Sequence, residues 1–170
     1  MMKFLLGLII GLGVVPAVGF VYFRFGLAPV ATAAPAMPFE KRLARMALHA
    51  RISKEAPAQA PIAASEDNLA AGARIYREHC AYCHGIAGQA ETASPKGMFP
   101  HPPQLFKGKG VTDDPAGEIY WKTANGIRLT GMPGFRKTLT EDQMWQVSLL
   151  LLHAHELPAP VKDLLAQPAR

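Results

Sequence analysis

Cys80-Ala81-Tyr82-Cys83-His84 is the stretch on which the reading of this chain turns. Cys80 and Cys83 are the only two cysteines, and a loop of two residues is too short for a disulfide framework, so the pair is a local chemical site. A C-x-x-C-H run reads as a covalent haem attachment site. Two thiols at this spacing can each add to one of the two vinyl groups on a haem edge. The next residue, His84, then falls beneath the iron, where neutral imidazole is a good axial ligand. Two other readings compete. A thioredoxin-like redox pair opens a helix after a strand, whereas this motif closes a helix. Half of a zinc site needs a second Cys or His pair, and no other Cys exists.

Working outward, Ser65 or Asp67 can cap a helix whose face is Leu69, Ala73, Tyr76 and Cys80, with Glu66 and Asp67 at its positive end. That helix delivers Cys80 to its last turn. Residues 85–113 are rich in Gly, Pro and Lys without a sustained period and read as a long loop. Asp114-Pro115 reads as an N-cap followed by Pro at the first helical position, and Gly126 as the stop of a short helix holding Ile119, Tyr120 and Trp121. A last helix starts at Thr140, with a Thr140/Gln143 capping box and a Leu139/Met144 staple. Its buried stripe is Met144, Val147, Leu150, Leu151 and Ala154, and Pro158 and Pro160 end it.

Upstream, Phe4 to Phe23 is a run of twenty uncharged residues between Lys3 and Arg24. As a helix it spans about 30 Å, the thickness of a bilayer core. A cleaved secretory signal is the alternative, with Ala31-Thr32-Ala33 as a cleavage pattern; the run exceeds the roughly 7 to 15 residues of a signal's apolar region. A retained transmembrane anchor over 1–25 is therefore expected. Residues 26–64 form an Ala/Pro-rich linker carrying a basic amphipathic helix at about 39–56, with Phe39, Leu43, Met46, Ala47 and Ala50 as its apolar stripe. That helix suits an anionic lipid surface, a partner subunit or its own domain. The folded domain is expected over 65–158, with a tail over 159–170.

The net charge of +5 lies entirely in residues 1–64, where seven Lys or Arg face two acids. The remainder carries eleven of each sign, so the charge gives no argument for nucleic acid. A length of 170 residues excludes a large multidomain enzyme, and the 49% hydrophobic content with only 18% charged residues fits a membrane segment.

The chain resembles the class I c-type cytochromes over roughly Ser65 to Leu157. Besides the CxxCH run, the resemblance rests on Gly72 with Tyr76, on Pro103-Gln104-Leu105, and on Thr130-Gly131-Met132-Pro133-Gly134-Phe135. It implies an all-α fold, a small helical cytochrome c domain wrapped around one covalent haem c. It further implies thioethers at Cys80 and Cys83, His84 as proximal and Met132 as distal iron ligand, and a Pro103 carbonyl accepting from the proximal imidazole. Gly72 would sit where the first and last helices cross, and Trp121 resembles an aromatic that neighbours a propionate.

The sixth ligand separates electron transfer from catalysis, because Met raises the potential and fills the site. Met98, His101 and Met144 compete with Met132 for that place; Met144, at helical spacing, reads as core. His49, His79, His153 and His155 read as surface or structural residues. A domain of about 95 residues is marginal by surface-to-volume scaling, and a bound macrocycle adds to its core. Leu105, Phe106, Phe135, Trp145 and Leu149 are expected around it.

The function implied is that of a membrane-anchored mono-haem electron carrier between respiratory or photosynthetic partners, with no catalytic residues and no small-molecule substrate. Its partner is a redox protein or a membrane electron-transfer complex, steered by Lys96, Lys107, Lys109, Arg128, Arg136 and Lys137. Haem attachment implies the periplasmic side of a bacterial cytoplasmic membrane, although Lys3 and Arg24 give little positive-inside bias. A haem enzyme or gas sensor with a labile sixth ligand is the alternative.

Overall fold

The charge-free run between Lys3 and Arg24 forms helix α1, Met2–Arg24, in the computed structural model, which describes residues 1–86, 88–90, 93–107 and 113–167. α1 buries none of its apolar span within the chain and is long and apolar enough to cross a membrane. The chain divides into two compact units, Met1–Leu43 and Ala44–Arg170. Helix α2, Glu40–Glu55, runs across that division. Among the described residues there are helices and turns but no strand.

In the second unit, Ser65 is the N-cap of α3, Glu66–Ile75, its side chain accepting from the Asn68 amide at 3.3 Å. The sequence pattern places Cys80 in that helix's last turn. The structure instead widens it into a π-helical turn over Tyr76–Cys80 and continues through α4, Ala81–His84. His84, not Cys80, closes the helical run, and Gly85 stops it at a positive φ of 72°. A short α5, Ala93–Lys96, interrupts the following loop.

Helix α6, Ala116–Asn125, starts one residue later than the sequence pattern suggests, with Pro115 rather than Asp114 as its N-cap. The Asp114 carboxylate is occupied elsewhere, accepting from Lys122 Nζ at 2.8 Å. Gly126 ends α6 at φ 68°, and a Cβ there would overlap Gly134 and Pro133 of the returning chain. Helix α7, Glu141–Leu152, has the Thr140/Gln143 capping box. Its expected stripe of Met144, Val147, Leu150 and Leu151 is buried. Trp145, Ser148 and Leu149 are buried as well, so α7 is surrounded on nearly every side.

α3 packs across α7 at Gly72, where a Cβ would overlap the Gln146 carbonyl. Only a residue without a side chain allows the backbones that close. α6 packs on α7 from another side, with Tyr120 stacked on Trp145 at 4.1 Å between ring centroids. Residues 159–170, which the sequence pattern leaves as a tail, form α8 over Ala159–Ala166; Val161 and Leu165 bury against the core, and the helix packs on α3.

The stretch before α3 also joins this unit. Ile52 of α2 is 4% exposed, and the Pro57 carbonyl rests so close to α6 that a Cβ at Gly117 would overlap it. The apolar stripe expected on α2 faces the other way. Leu43 and Met46 are 57% and 62% exposed, as is most of Phe39. Leu48 and Ile52, one turn apart on the opposite side of the helix, form the more buried edge.

Candidate haem site

The helical run through His84 sets three functional side chains in fixed order. Cys80 ends the π-turn, and Cys83 and His84 occupy the last turn of α4. All three line one cleft, part of it open to solvent. Tyr76 secures this end of the helix. Its hydroxyl, on a fully buried ring, donates to the Gly85 carbonyl at 2.7 Å, and burial pushes its pKa well above the usual phenol value.

His84 Nδ1 lies 2.8 Å from the Pro103 carbonyl oxygen. A carbonyl only accepts, so Nδ1 carries the proton and Nε2 keeps its lone pair. Burial lowers the imidazole pKa and so favours the neutral ring, against the opposite pull of the Pro103 hydrogen bond. Of the three prolines clustered here, Pro100 and Pro102 also line the cleft, but Pro103 is the one that holds the ring. Burial likewise pushes the free Cys80 thiol up to about 12, with the neighbouring Cys83 adding to it.

Met132 lines the same cleft from the turn between α6 and α7. That turn is tightly made. Thr130 Oγ1 donates to the Ile127 carbonyl at 2.7 Å and accepts from the Met132 amide at 3.1 Å. Ile127 N–H donates to the Met132 carbonyl at 3.2 Å, and Phe135 N–H to the Thr123 carbonyl at 3.0 Å. The turn is thereby hung from the C-terminal end of α6.

Of the five apolar residues expected around a macrocycle, Leu105 and Phe135 line the cleft. Trp145 and Leu149 lie in the helical core, and Phe106 packs edge-on against Tyr76 at 4.9 Å. Val147 and Leu151 of α7 and Ile127 complete the apolar lining. Sequence reasoning assigns the two α7 residues to a helix stripe, which gives no hint that the stripe also faces a cleft. Met98 and His101 line the cleft too, as does His79, which packs edge-on against Phe135. Met144 is buried in the core and is not among the lining residues. Trp121 is engaged by the linker, donating from Nε1 to Glu55 Oε2 at 3.1 Å. Lys109 lies outside the described residues.

The donor set fits a covalently held haem. Two thiols, an imidazole with its free nitrogen selected by a backbone carbonyl, and thioether sulfur converge on one apolar cleft. Among the described residues no cluster of three or more His, Cys, Asp or Glu side chains offers a separate metal site.

Residues 67–149, just under half of the chain, match the protein-family model described as cytochrome C oxidase, cbb3-type, subunit III. No curated protein matches the sequence. Among solved structures, a chain of a Kuenenia stuttgartiensis reducing HAO-like protein complex is similar, at 26% identity and a TM-score of 0.49. The match covers 56% of this chain and 47% of that one, so this chain spans about half the length of the solved relative. The family match runs from the first turn of α3 into α7, a stretch that supplies every residue of the cleft lining but Leu151, and this stretch is a c-type cytochrome domain, of the family that binds haem c covalently.

Proposed function

We propose that this protein is a membrane-anchored mono-haem electron carrier and not an enzyme. The haem supplies a one-electron Fe(III)/Fe(II) couple. In this reading Cys80 and Cys83 would hold the haem through thioethers, His84 Nε2 and the Met132 sulfur would ligate its iron, and Pro103 orients His84. The observation that carries the reading is the 2.8 Å contact between His84 Nδ1 and the Pro103 carbonyl beside the cysteine pair. It aims the ring's free nitrogen and strengthens its basicity, as partners of metal-bound histidines commonly do. With His84 and Met132 both ligating, the iron would have no open position, which would favour electron transfer over binding of small gases.

Helix α1 is the membrane anchor in this reading, and the haem domain lies on the periplasmic side of a bacterial cytoplasmic membrane, where haem attachment takes place. The partner is a redox protein or a membrane electron-transfer complex. The family description's reference to an oxidase subunit supports the latter. Charge supports an acidic docking face. The two segments that contribute most of the cleft loops, 93–107 and 126–138, contain Lys96, Lys107, Arg128, Arg136 and Lys137 and no acidic residue. All five are exposed.

The test is to make the full chain with a haem-attachment system and record oxidised and reduced spectra, with and without carbon monoxide. One low-spin haem that stays bound after denaturation, shows a sulfur-to-iron band and ignores carbon monoxide is the expected result. Rapid carbon monoxide uptake by the intact protein means an open or labile sixth site, and the reading as a haem enzyme or gas sensor replaces this one. Fractionation that finds the protein free of the membrane removes the anchor.

A further inference from the structure

Met98 and Met132 lie 34 positions apart in sequence, yet both line the haem cleft. The structure brings Met98 directly to the Met132 turn: a Cβ built on Gly131 would stand 3.4 Å from Met98 Sδ. The sulfur of Met98 therefore lies at van der Waals distance from the side-chain position of Gly131, the residue before Met132. Six residues, 98–103, run from this contact to the Pro103 carbonyl that holds His84. Met98 is thus at the end of the segment that meets the Met132 turn, and Pro103 is at the end that meets the imidazole. Met98 follows His84 by only fourteen residues, yet it reaches the Met132 side of the cleft.

We infer that Met98 is a reserve thioether for the sixth coordination position, able to replace Met132 when that residue is removed or displaced. The inference rests on the proposed Met132 ligation. Its chemistry is that of the side chain itself, an unbranched, soft and adaptable sulfur donor on three rotatable bonds. Met98 is only partly buried, and its backbone is held by one short turn bond, from its N–H to the Pro95 carbonyl at 3.1 Å. The side chain can therefore extend into the cleft without disturbing a packed helix. His101, the other donor on the same segment, stands two residues from Pro103, toward the end that holds His84, and its side chain is exposed. Met98 is the donor at the end that touches Gly131.

The experiment compares holoprotein spectra and carbon monoxide affinity of the intact chain, Met132→Ala, Met98→Leu and the double variant. Leu conserves volume, so Met98→Leu keeps the packing while removing the sulfur. Met132→Ala is expected to retain a sulfur-to-iron band and to bind carbon monoxide at least about tenfold more weakly than the double variant, because a competing internal ligand lowers the fraction of open sites. Met98→Leu alone is expected to match the intact protein. Equal affinity in Met132→Ala and the double variant, with no band in either, overturns the inference. Loss of the band in Met98→Leu overturns it differently, by making Met98 the first ligand. An intact protein without the band that takes up carbon monoxide rapidly defeats the Met132 ligation itself, and the reserve role falls with it.

Discussion

The indole Nε1 of Trp121 donates to Glu55 Oε2 at 3.1 Å, tying α6 to the end of α2 across 66 positions of sequence. Arg51 pairs with the other oxygen of the same carboxylate at 2.6 Å. With Ile52 buried and Pro57 pressed on Gly117, the stretch before α3 is a strap on α6 rather than a loose tether. The same helix carries the Met132 turn at its other end. The strap and the Met132 turn thus share one rigid element.

Gly117→Ala tests the strap with opposed expectations. By helix propensity alone the change stabilises α6 by roughly 1 kcal/mol. The contact argues the reverse, since the new Cβ would overlap the Pro57 carbonyl and the strap must lift. Lower thermal stability, together with faster proteolysis between residues 56 and 64, is the expected result. A rise in stability with unchanged proteolysis shows that the strap does not bear on α6.

At the α3/α7 crossing, Gly72→Ala is expected to destabilise the domain by about 1 to 3 kcal/mol, the range for forcing extra volume into a packed interior. The added Cβ would meet the Gln146 carbonyl and lie 3.1 Å from the Leu150 Cβ, so backbone, not a flexible side-chain end, has to move. Chemical denaturation of the holoprotein, followed by far-ultraviolet circular dichroism, measures the loss. A change within experimental error means that the two helices do not cross this closely at Gly72.

Features that depend on neighbours in sequence were legible before the structure. Ser65, and Thr140 with Gln143, cap helices through residues three positions on, and the cysteine pair and His84 are contiguous. Most of the misplaced features depend on partners beyond the local pattern. Asp114 yields the N-cap to Pro115 while its carboxylate bonds Lys122, eight residues later. On α2 two apolar stripes exist, and only the docking of Ile52 decides which one is buried. The segment after Pro158 offers too short an apolar pattern to announce α8, yet Val161 and Leu165 find a place on the core. In the site, the choice among three neighbouring prolines and the lining role of Val147 and Leu151 are set by how the elements meet, which no local pattern records.

Leu129 holds φ at 61° and is 92% exposed, so its side chain buries almost nothing in return for a conformation that L residues resist. Asn tolerates this region through local hydrogen bonding, and Leu129→Asn is expected to stabilise the protein by about 1 kcal/mol. Leu129→Gly relieves the same strain but gains freedom in the unfolded chain, an opposing effect of roughly 0.5 to 1 kcal/mol, and should come out near neutral. Thermal melts of the two variants decide this: a loss of stability in Leu129→Asn means that the leucine makes a contact in the folded protein that outweighs its strain.

Lys122 gives the fold a pH dependence on the alkaline side. Burial works against its charge, but hydrogen bonds to Asp114 and Glu118, both 2.8 Å from Nζ, and the attraction of the two carboxylates outweigh it and raise its pKa. A pKa higher in the folded state than in the unfolded one, about 10.4 for lysine, means that folding favours the proton. The contribution is complete below that value and is lost as pH rises through the folded-state pKa. Tyr76, whose pKa burial also raises, adds a dependence of the same sign, so the intact protein alone does not isolate Lys122. Lys122→Met does, because the difference in unfolding free energy between it and the intact chain should be constant from pH 7 to about 9 and shrink above about 10.4. A difference that stays constant to pH 12 excludes a proton held by this pair of carboxylates.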